Sequence, residues 1–456
     1  MRQVFQWVVG RRLSPPQLII LSYLLAMAAG ALLLSMPWAH ARGHRLTLVD
    51  ALFTATSALA VTGLTTVSTG GDFSFWGQLV LLGLIQIGGL GIMTFSVFLI
   101  LLVGGRVRIS QRLLIRDALN APDLRKIVRL IQRIFLFTFT IELFGTVLLY
   151  LSWQGQLGWQ DAAWPALFHA ISAFCNAGFS IWDDSLLRYQ THLPTLLVVM
   201  GLIILGGIGF RVLEELFEFL RRWLGSLGRP SQGLPLSLHT KLVLVTSGVL
   251  IVLGAALLLL LELPSQASAP WPARLSVALF QAVTARTAGL NTMAISRLRE
   301  GSILVLMMLM FIGASPMSTG GGIKTVTFSL FVLSVVATVR GRTDITAFER
   351  RIERSAVLKA NLVLVMSLVI ISLGTMLLSA SEHFSLRELA FEVVSATNTV
   401  GLSLGITSLL SDTGKLLVSL LMLIGRVGPL TVVLALGRRL EQGSPVRYPT
   451  EGVIIG

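Results

Sequence analysis

Four short segments of the sequence place a glycine directly after two small or polar residues: Val61-Thr62-Gly63, Asn176-Ala177-Gly178, Thr287-Ala288-Gly289 and Thr399-Val400-Gly401. Successive glycines are separated by 115, 111 and 112 residues, each close to a quarter of the 456-residue chain. Glycine tolerates backbone angles closed to other residues, so carbonyls beside it can be turned where a helix or strand would not allow. Carbonyl oxygens can replace the water shell of a cation entering a narrow passage. Four such segments around one axis would form a ring of oxygen ligands, with no carboxylate required. A single glycine would read as a helix cap or packing position. Four in matching context predict a repeated ion site.

Short apolar runs position these segments. Ala51-Leu52-Phe53-Thr54-Ala55-Thr56-Ser57-Ala58 precedes Gly63, and Ala166-Leu167-Phe168-His169-Ala170-Ile171-Ser172-Ala173 precedes Gly178. Phe53 to Gly63, Phe168 to Gly178 and Phe391 to Gly401 are each 10 residues apart, whereas Phe280 to Gly289 is 9. A bilayer crossing needs roughly 20 apolar residues, so these runs are expected to be re-entrant half-helices. Their C-terminal dipole ends would favour a cation at the axis.

Longer apolar runs flank each half-helix. They predict spans near 17–38, 77–103, 134–153, 193–217, 239–263, 301–338, 360–380 and 413–437. The expected fold is an all-α polytopic membrane protein of eight full spans plus four re-entrant pore helices. Its units are repeat one (17–103), repeat two (104–217), repeat three (218–338) and repeat four (339–437). A cytoplasmic interfacial segment (1–16) and a cytoplasmic tail (438–456) flank them. Each unit begins and ends on the same side, so the span–half-helix–filter loop–span repeats are parallel and can surround a central pore. Irregular backbone at membrane depth is tolerated where it lines a cavity or is buried in protein.

Composition agrees. The chain is 54% hydrophobic and 13% charged, with a mean hydropathy of +0.81, which excludes an ordinary soluble domain. The first apolar run is too long for a signal peptide and lacks its cleavage site. Cys175 is the lone cysteine and rules out an intramolecular disulfide. The net charge of +14 is distributed unevenly: 25 Lys and Arg fall on the side of the termini and 9 on the side of the glycine segments. The positive-inside rule accounts for that bias, puts both termini in the cytoplasm and turns the glycine loops outward, with no nucleic acid partner.

Glycine clusters recur in the second run of each unit: Gly88-Gly89-Leu90-Gly91, Gly206-Gly207-Ile208-Gly209, Gly313 through Gly322, and Gly425-Arg426-Val427-Gly428-Pro429. The first two fit close helix packing. The third, Gly313-Ala314-Ser315-Pro316-Met317-Ser318-Thr319-Gly320-Gly321-Gly322, is too polar and flexible for a continuous helix, and Pro316 removes a backbone donor. It predicts an interruption and a mobile constriction below the ring. Arg426 lies 25 residues after Gly401, where a charge is costly unless it faces water or a partner. Facing the pore, it would repel cations and could bond carbonyls of the 313–322 stretch. Lys324 has two readings, a gate residue or a side chain snorkelling to the cytoplasmic interface. Glu142 also has two, pairing with a neighbouring helix or ion handling. No nucleophile–base pair or metal-ligand spacing is present, which argues against an enzyme. Parallel repeats argue against a transporter built on inverted repeats.

The loops Val-Thr-Gly-Leu (61–64), Asn-Ala-Gly-Phe (176–179), Arg-Thr-Ala-Gly-Leu (286–290) and Asn-Thr-Val-Gly-Leu (398–402) resemble the Trk/Ktr/HKT superfamily of potassium transporters. So do Gly-Gly-Gly-Ile-Lys-Thr (320–325) and Gly-Arg-Val-Gly-Pro (425–429). A first repeat starting near residue 17 leaves no room for the extra N-terminal helix pair of TrkH-type members, and the tail ending at Gly456 resembles the KtrB-type membrane subunit. The resemblance implies K+ uptake by a homodimer in the bacterial plasma (inner) membrane, each protomer having its own pore. It implies a KtrA-like cytosolic ring that binds ATP and ADP, docked on basic segments such as 106–133 and 340–359, and Na+ activation of uptake. Residues 313–322 would be the gating loop, comprising Gly313, Ser315, Pro316, Ser318, Thr319, Gly320, Gly321 and Gly322, with Lys324 and Arg426 beside it. Relatives with serine in place of the first-loop glycine tend to pass Na+, so Gly63 and its counterparts favour K+.

Overall fold

Apolar runs with few charges and few breakers form the long helices, and the computed structural model describes residues 15–92, 94–95, 127–225, 236–262, 270–342 and 344–436. The first unit comprises α1 (Pro15–Leu34), the short α2 (Leu48–Ala60) and α3 (Phe75–Leu90). The second comprises α4 (Ile127–Leu157), the short α5 (Ala163–Phe174), α6 (Leu193–Gly207) and α7 (Phe210–Gly225). The third comprises α8 (Leu238–Glu262), the short α9 (Trp271–Thr284), α10 (Glu300–Phe311) and α11 (Thr325–Val339). A two-stranded antiparallel hairpin, β1 (Thr346–Ala347) and β2 (Arg350–Arg351), leads into the fourth unit. That unit comprises α12 (Arg354–Ser381), the short α13 (Leu386–Thr397), α14 (Asp412–Val427) and α15 (Pro429–Leu436).

Helix starts follow from local chemistry. Thr47, Ser74 and Ser411 accept hydrogen bonds from the backbone N–H groups of Asp50, Gly77 and Gly414. Ser385 and Glu388 cap α13 reciprocally. Such caps satisfy donors that have no partner inside the helix.

Among the described residues, α1, α4, α8 and α12 are long and apolar enough to cross a bilayer. Their outer faces carry exposed apolar residues at helical spacing, including Leu143, Phe144, Val147 and Leu151 on α4 and Leu373, Met376 and Leu377 on α12. This is the stripe expected against lipid.

The second run of each unit departs from expectation. Continuous spans were expected near 77–103, 193–217 and 413–437, but helices break at Gly91, Gly209 and Gly428, whose φ angles are 81°, 93° and 94°. Positive φ cannot be continued as a right-handed helix, so the cluster glycines end helices as well as pack them. Helices α6 and α7 meet at 108°. The third run is interrupted between α10 and α11, as its composition predicts. The remainder of the first unit beyond residue 95, most of segments 1–16 and 106–133, and the tail 438–456 lie outside the described residues.

Other glycines of the same clusters bring the second helices against the short ones. A Cβ at Gly88, Gly206 or Gly425 would press into the carbonyl oxygen of Leu59, Phe174 or Thr397, at or beside the C-terminal ends of α2, α5 and α13. Phe53, Phe168, Phe280 and Phe391, one on each short helix, are fully buried. Buried phenylalanines and glycine contacts together hold the C-terminal ends of α2, α5 and α13.

Candidate functional site

The four short helices deliver the glycine segments to one another. Val61, Asn176, Thr287 and Thr399 adopt φ of 58°, 58°, 73° and 51°, and Gly63, Gly178, Gly289 and Gly401 adopt 93°, 72°, 76° and 93°. Left-handed φ at a non-glycine residue is uncommon, and its repetition at four equivalent positions marks a constraint imposed by the surroundings. An ideal Cβ on Gly63 would lie 2.6 Å from the Ala177 carbonyl oxygen, and one on Gly178 would lie 3.0 Å from that of Ala288. One on Gly289 would strike the Val400 carbonyl oxygen, and one on Gly401 that of Thr62. Each glycine thus faces the carbonyl preceding the next glycine, and the fourth returns to the first. The ring closes.

Turns off the short helices hold these loops. The backbone N–H groups of Thr62, Ala177 and Val400 donate to the carbonyls of Ser57, Ser172 and Ser395, each at 2.8 Å and five residues back. In the third unit Ala288 donates to Thr284, 2.9 Å away and four residues back. The residue missing from the Phe280–Gly289 spacing is therefore removed from the turn, and the ring position is kept. The hydroxyls at the same positions also tie the loops. Ser57 and Ser395 accept from the N–H of Gly63 and Gly401 at 3.1 Å, Ser172 donates to the Phe179 carbonyl, and Thr284 donates to that of Leu290.

Sequence reasoning missed these hydroxyls and a second set of ties. The residue after each buried phenylalanine is polar: Thr54, His169, Gln281 and Glu392. The imidazole Nε2 of His169 lies 2.9 Å from Ser180 Oγ, while Glu392 accepts from Ser403 at 2.8 Å and from Thr407. Both ties span 11 residues and pin the chain just past the glycine to its own short helix. Aligning the four units on their phenylalanines would have exposed both sets.

Above the ring, a polar cavity of about 480 Å³ is lined by Gly63, Gly178, Gly289 and Gly401, with Asp72 and Asp183 among its walls. Below it lies the 313–322 stretch. Ser315 and Thr319 N–H groups donate to the carbonyls of Gly207 and Gly206, and the Thr319 hydroxyl donates to that of Phe174 at 3.1 Å. A Cβ at Gly320 would collide with Thr287 Oγ1, and one at Gly321 with Thr399 Oγ1. Both threonine hydroxyls are buried without a hydrogen-bond partner among the described residues. Gly313, Pro316, Ser318 and Gly322 complete the stretch, with Ser318 donating to the Ser315 carbonyl at 2.6 Å.

The two cations expected near the stretch both engage it. Lys324 Nζ curls back to the Gly320 carbonyl at 2.7 Å. Arg426 donates to the carbonyls of Thr319 and Gly88. Glu142 has a partner helix: Gln86 of α3 donates to it at 3.2 Å, and the Cys175 thiol is 3.6 Å from its other oxygen. Cys175 also packs against Gly89. Lys415 of α14 pairs with Asp50 of α2 at 2.8 Å, joining the fourth unit to the first. Among the described residues no cluster of three or more His, Cys, Asp or Glu is arranged to hold a metal ion.

The TrkH family profile, described as a cation transport protein, matches residues 17–448. The chain is 39% identical over 457 residues to Ktr system potassium uptake protein B of Bacillus subtilis, covering 100% of this chain and 99% of that one. It is 35% identical over 455 residues to the potassium/sodium uptake protein NtpJ of Enterococcus hirae, covering 98% of each. Its fold is similar to that of the potassium transporter TrkH from Vibrio parahaemolyticus, with a TM-score of 0.73 at 19% identity, over 93% of this chain and 85% of that one. With a match across nearly its whole length, the chain belongs to the TrkH family, in its Ktr branch, and is a membrane cation transporter, not an enzyme.

Proposed function

We propose that this chain carries K+ into the cell through the ring formed by its four glycine loops. The observation that carries the reading is the cyclic contact of Gly63, Gly178, Gly289 and Gly401, each facing the carbonyl before the next. Successive peptides of an extended chain point to opposite sides. Left-handed φ at both ends of each three-residue loop offers a way to turn several carbonyls towards the axis. The backbone oxygens of Val61, Thr62, Gly63; Asn176, Ala177, Gly178; Thr287, Ala288, Gly289; and Thr399, Val400, Gly401 are then the ligands that replace water around K+. The short helices α2, α5, α9 and α13 direct their negative ends at the same place.

Parallel units around a pore normal to the membrane, with both termini cytoplasmic, follow from the charge distribution and the repeat. The 313–322 stretch, held by Lys324 and Arg426, is the gate beneath the ring. The potassium uptake named for the Bacillus relative supports K+ as the ion, and the potassium/sodium uptake of the Enterococcus relative leaves room for Na+ as substrate or activator. A homodimer in the bacterial plasma membrane, controlled by a cytosolic ring binding ATP and ADP, completes the proposal.

The test is 86Rb+ or K+ uptake in cells lacking their own potassium uptake, with regulatory subunits co-expressed. Uptake above background that saturates with K+ supports the reading. Background flux from protein correctly inserted in the membrane overturns it.

A further inference from the structure

The ring is not chemically four-fold. Three residues before each glycine stand Ala60, Cys175, Arg286 and Asn398, so the third loop alone carries a charge at this position. Arg286 follows the C-terminal cap of α9 and directly precedes Thr287. It is only 8% exposed. Its Nη2 donates to Ser247 of α8 at 3.1 Å, and its Nε has no hydrogen-bond partner among the described residues. Among the described residues it forms no ion pair within 4 Å.

A guanidinium does not give up its proton inside a protein, so burial leaves a permanent positive charge. Such a charge is costly without a counter-ion. Its position beside the negative end of α9 offsets part of the cost, and the same position opposes a cation at the ring. Conduction requires binding strong enough to admit the ion and weak enough to release it.

We propose that Arg286 is an affinity-determining residue whose fixed charge weakens cation binding at the third loop and so speeds release. The inference rests on the carbonyl-ring reading of the four loops.

The test compares wild type with Arg286→Met, Arg286→Lys and Ser247→Asp, measuring initial 86Rb+ uptake against external concentration in cells lacking their own potassium uptake. Arg286→Met removes the charge, Arg286→Lys keeps it, and Ser247→Asp leaves Arg286 in place but supplies a carboxylate beside it. The half-saturating concentration should fall roughly tenfold in Arg286→Met and Ser247→Asp, the scale of one unit charge acting across about 10 Å of protein. Maximal rate should fall with it, and Arg286→Lys should keep the wild-type half-saturation. Unchanged half-saturation in Arg286→Met or Ser247→Asp, or an equal shift in Arg286→Lys and Arg286→Met, overturns the inference. If Arg286→Met does not reach the membrane, Ser247→Asp decides. Absence of flux in the wild type instead overturns the ring reading, a distinguishable result.

Discussion

The guanidinium of Arg426 donates to the backbone carbonyl oxygen of Thr319, although 107 residues separate them. The other arm of the same fork donates to the carbonyl of Gly88 in the first unit. One side chain therefore fastens the interrupted third run to the first and fourth units. Three loop-leading residues, Asn176, Thr287 and Thr399, lie against Gly320 or Gly321. On the fourth side, Gly88 packs against Val61, and Arg426 reaches across to it. Loop and arginine together span the inner face of the ring.

Arg426→Ala should therefore raise cation flux, both by removing a positive charge and by releasing Thr319. A hydrogen bond to a charged group contributes about 1.5–3 kcal/mol, so losing even one should raise flux by about tenfold where opening is limiting. Uptake measured with and without regulatory subunits checks this. Equal or lower flux from correctly inserted Arg426→Ala protein would contradict a barrier role.

Gly63→Ser should reduce K+/Na+ discrimination, because its Cβ lies 2.6 Å from the Ala177 carbonyl oxygen and the loop must retreat from its neighbour. Gly401→Ser should be more severe, since its Cβ is closer still to the carbonyl of Thr62. Gly43 has the same left-handed φ with nothing near its Cβ, so Gly43→Ser is the control for backbone strain alone. A permeability ratio that is unaltered in both ring variants would count against the filter assignment.

The mutual contact of the four glycines was legible because close backbone approach demands little of side chains and much of spacing, and spacing survives in sequence. Breaks at Gly91, Gly209 and Gly428 were not legible, since a glycine cluster looks the same whether it packs a helix or ends it. Composition marked the third break, where Pro316 and a run of polar residues leave no helical alternative. Glu142 and Lys324 each had two readings because a tertiary partner leaves no mark in local sequence; the structure gives Gln86 as a partner of Glu142 and the Gly320 carbonyl as that of Lys324. The hydroxyl anchors were hidden for another reason. Ser57 or Ser395 alone is an ordinary small residue of a short helix, and only its distance from the following glycine gives it meaning.

Ser57→Ala should disturb the first loop without touching its glycine. The variant leaves the buried N–H of Gly63 without an acceptor, at a cost of about 1–3 kcal/mol. Reduced K+/Na+ discrimination with near-normal insertion is expected, and Ser395→Ala should act alike through Gly401. Thr284→Ala is the contrast, because its hydroxyl donates to the Leu290 carbonyl and no ring N–H loses an acceptor. Uptake competition between Rb+ and Na+ would separate them. Equal effects at all three sites would mean that the hydroxyls serve general packing.

The chain itself joins the first unit to the second, the second to the third and the third to the fourth, but nothing covalent joins the fourth to the first. That seam is closed by Lys415 with Asp50, by Gly401 against Thr62 and by Arg426 with Gly88. The ion pair is partly buried, with both side chains 13% exposed, and Thr47 adds a hydrogen bond to Asp50 at 2.7 Å. Removing one partner of such a partly buried pair strands the other, at a cost of at most about 3–5 kcal/mol, while removing both costs less. Lys415→Met should therefore lower the unfolding temperature more than the Asp50→Asn, Lys415→Met double variant does. It should also loosen K+/Na+ discrimination, because the seam carries the Gly401–Thr62 contact. Thermal unfolding in detergent at several K+ concentrations tests both claims. K+ should protect wild type and the double variant more than Lys415→Met, since only a closed ring presents all its oxygens to one ion. A double variant that unfolds no higher than Lys415→Met would show that the pair does not couple, and the seam would then rest on backbone contact alone.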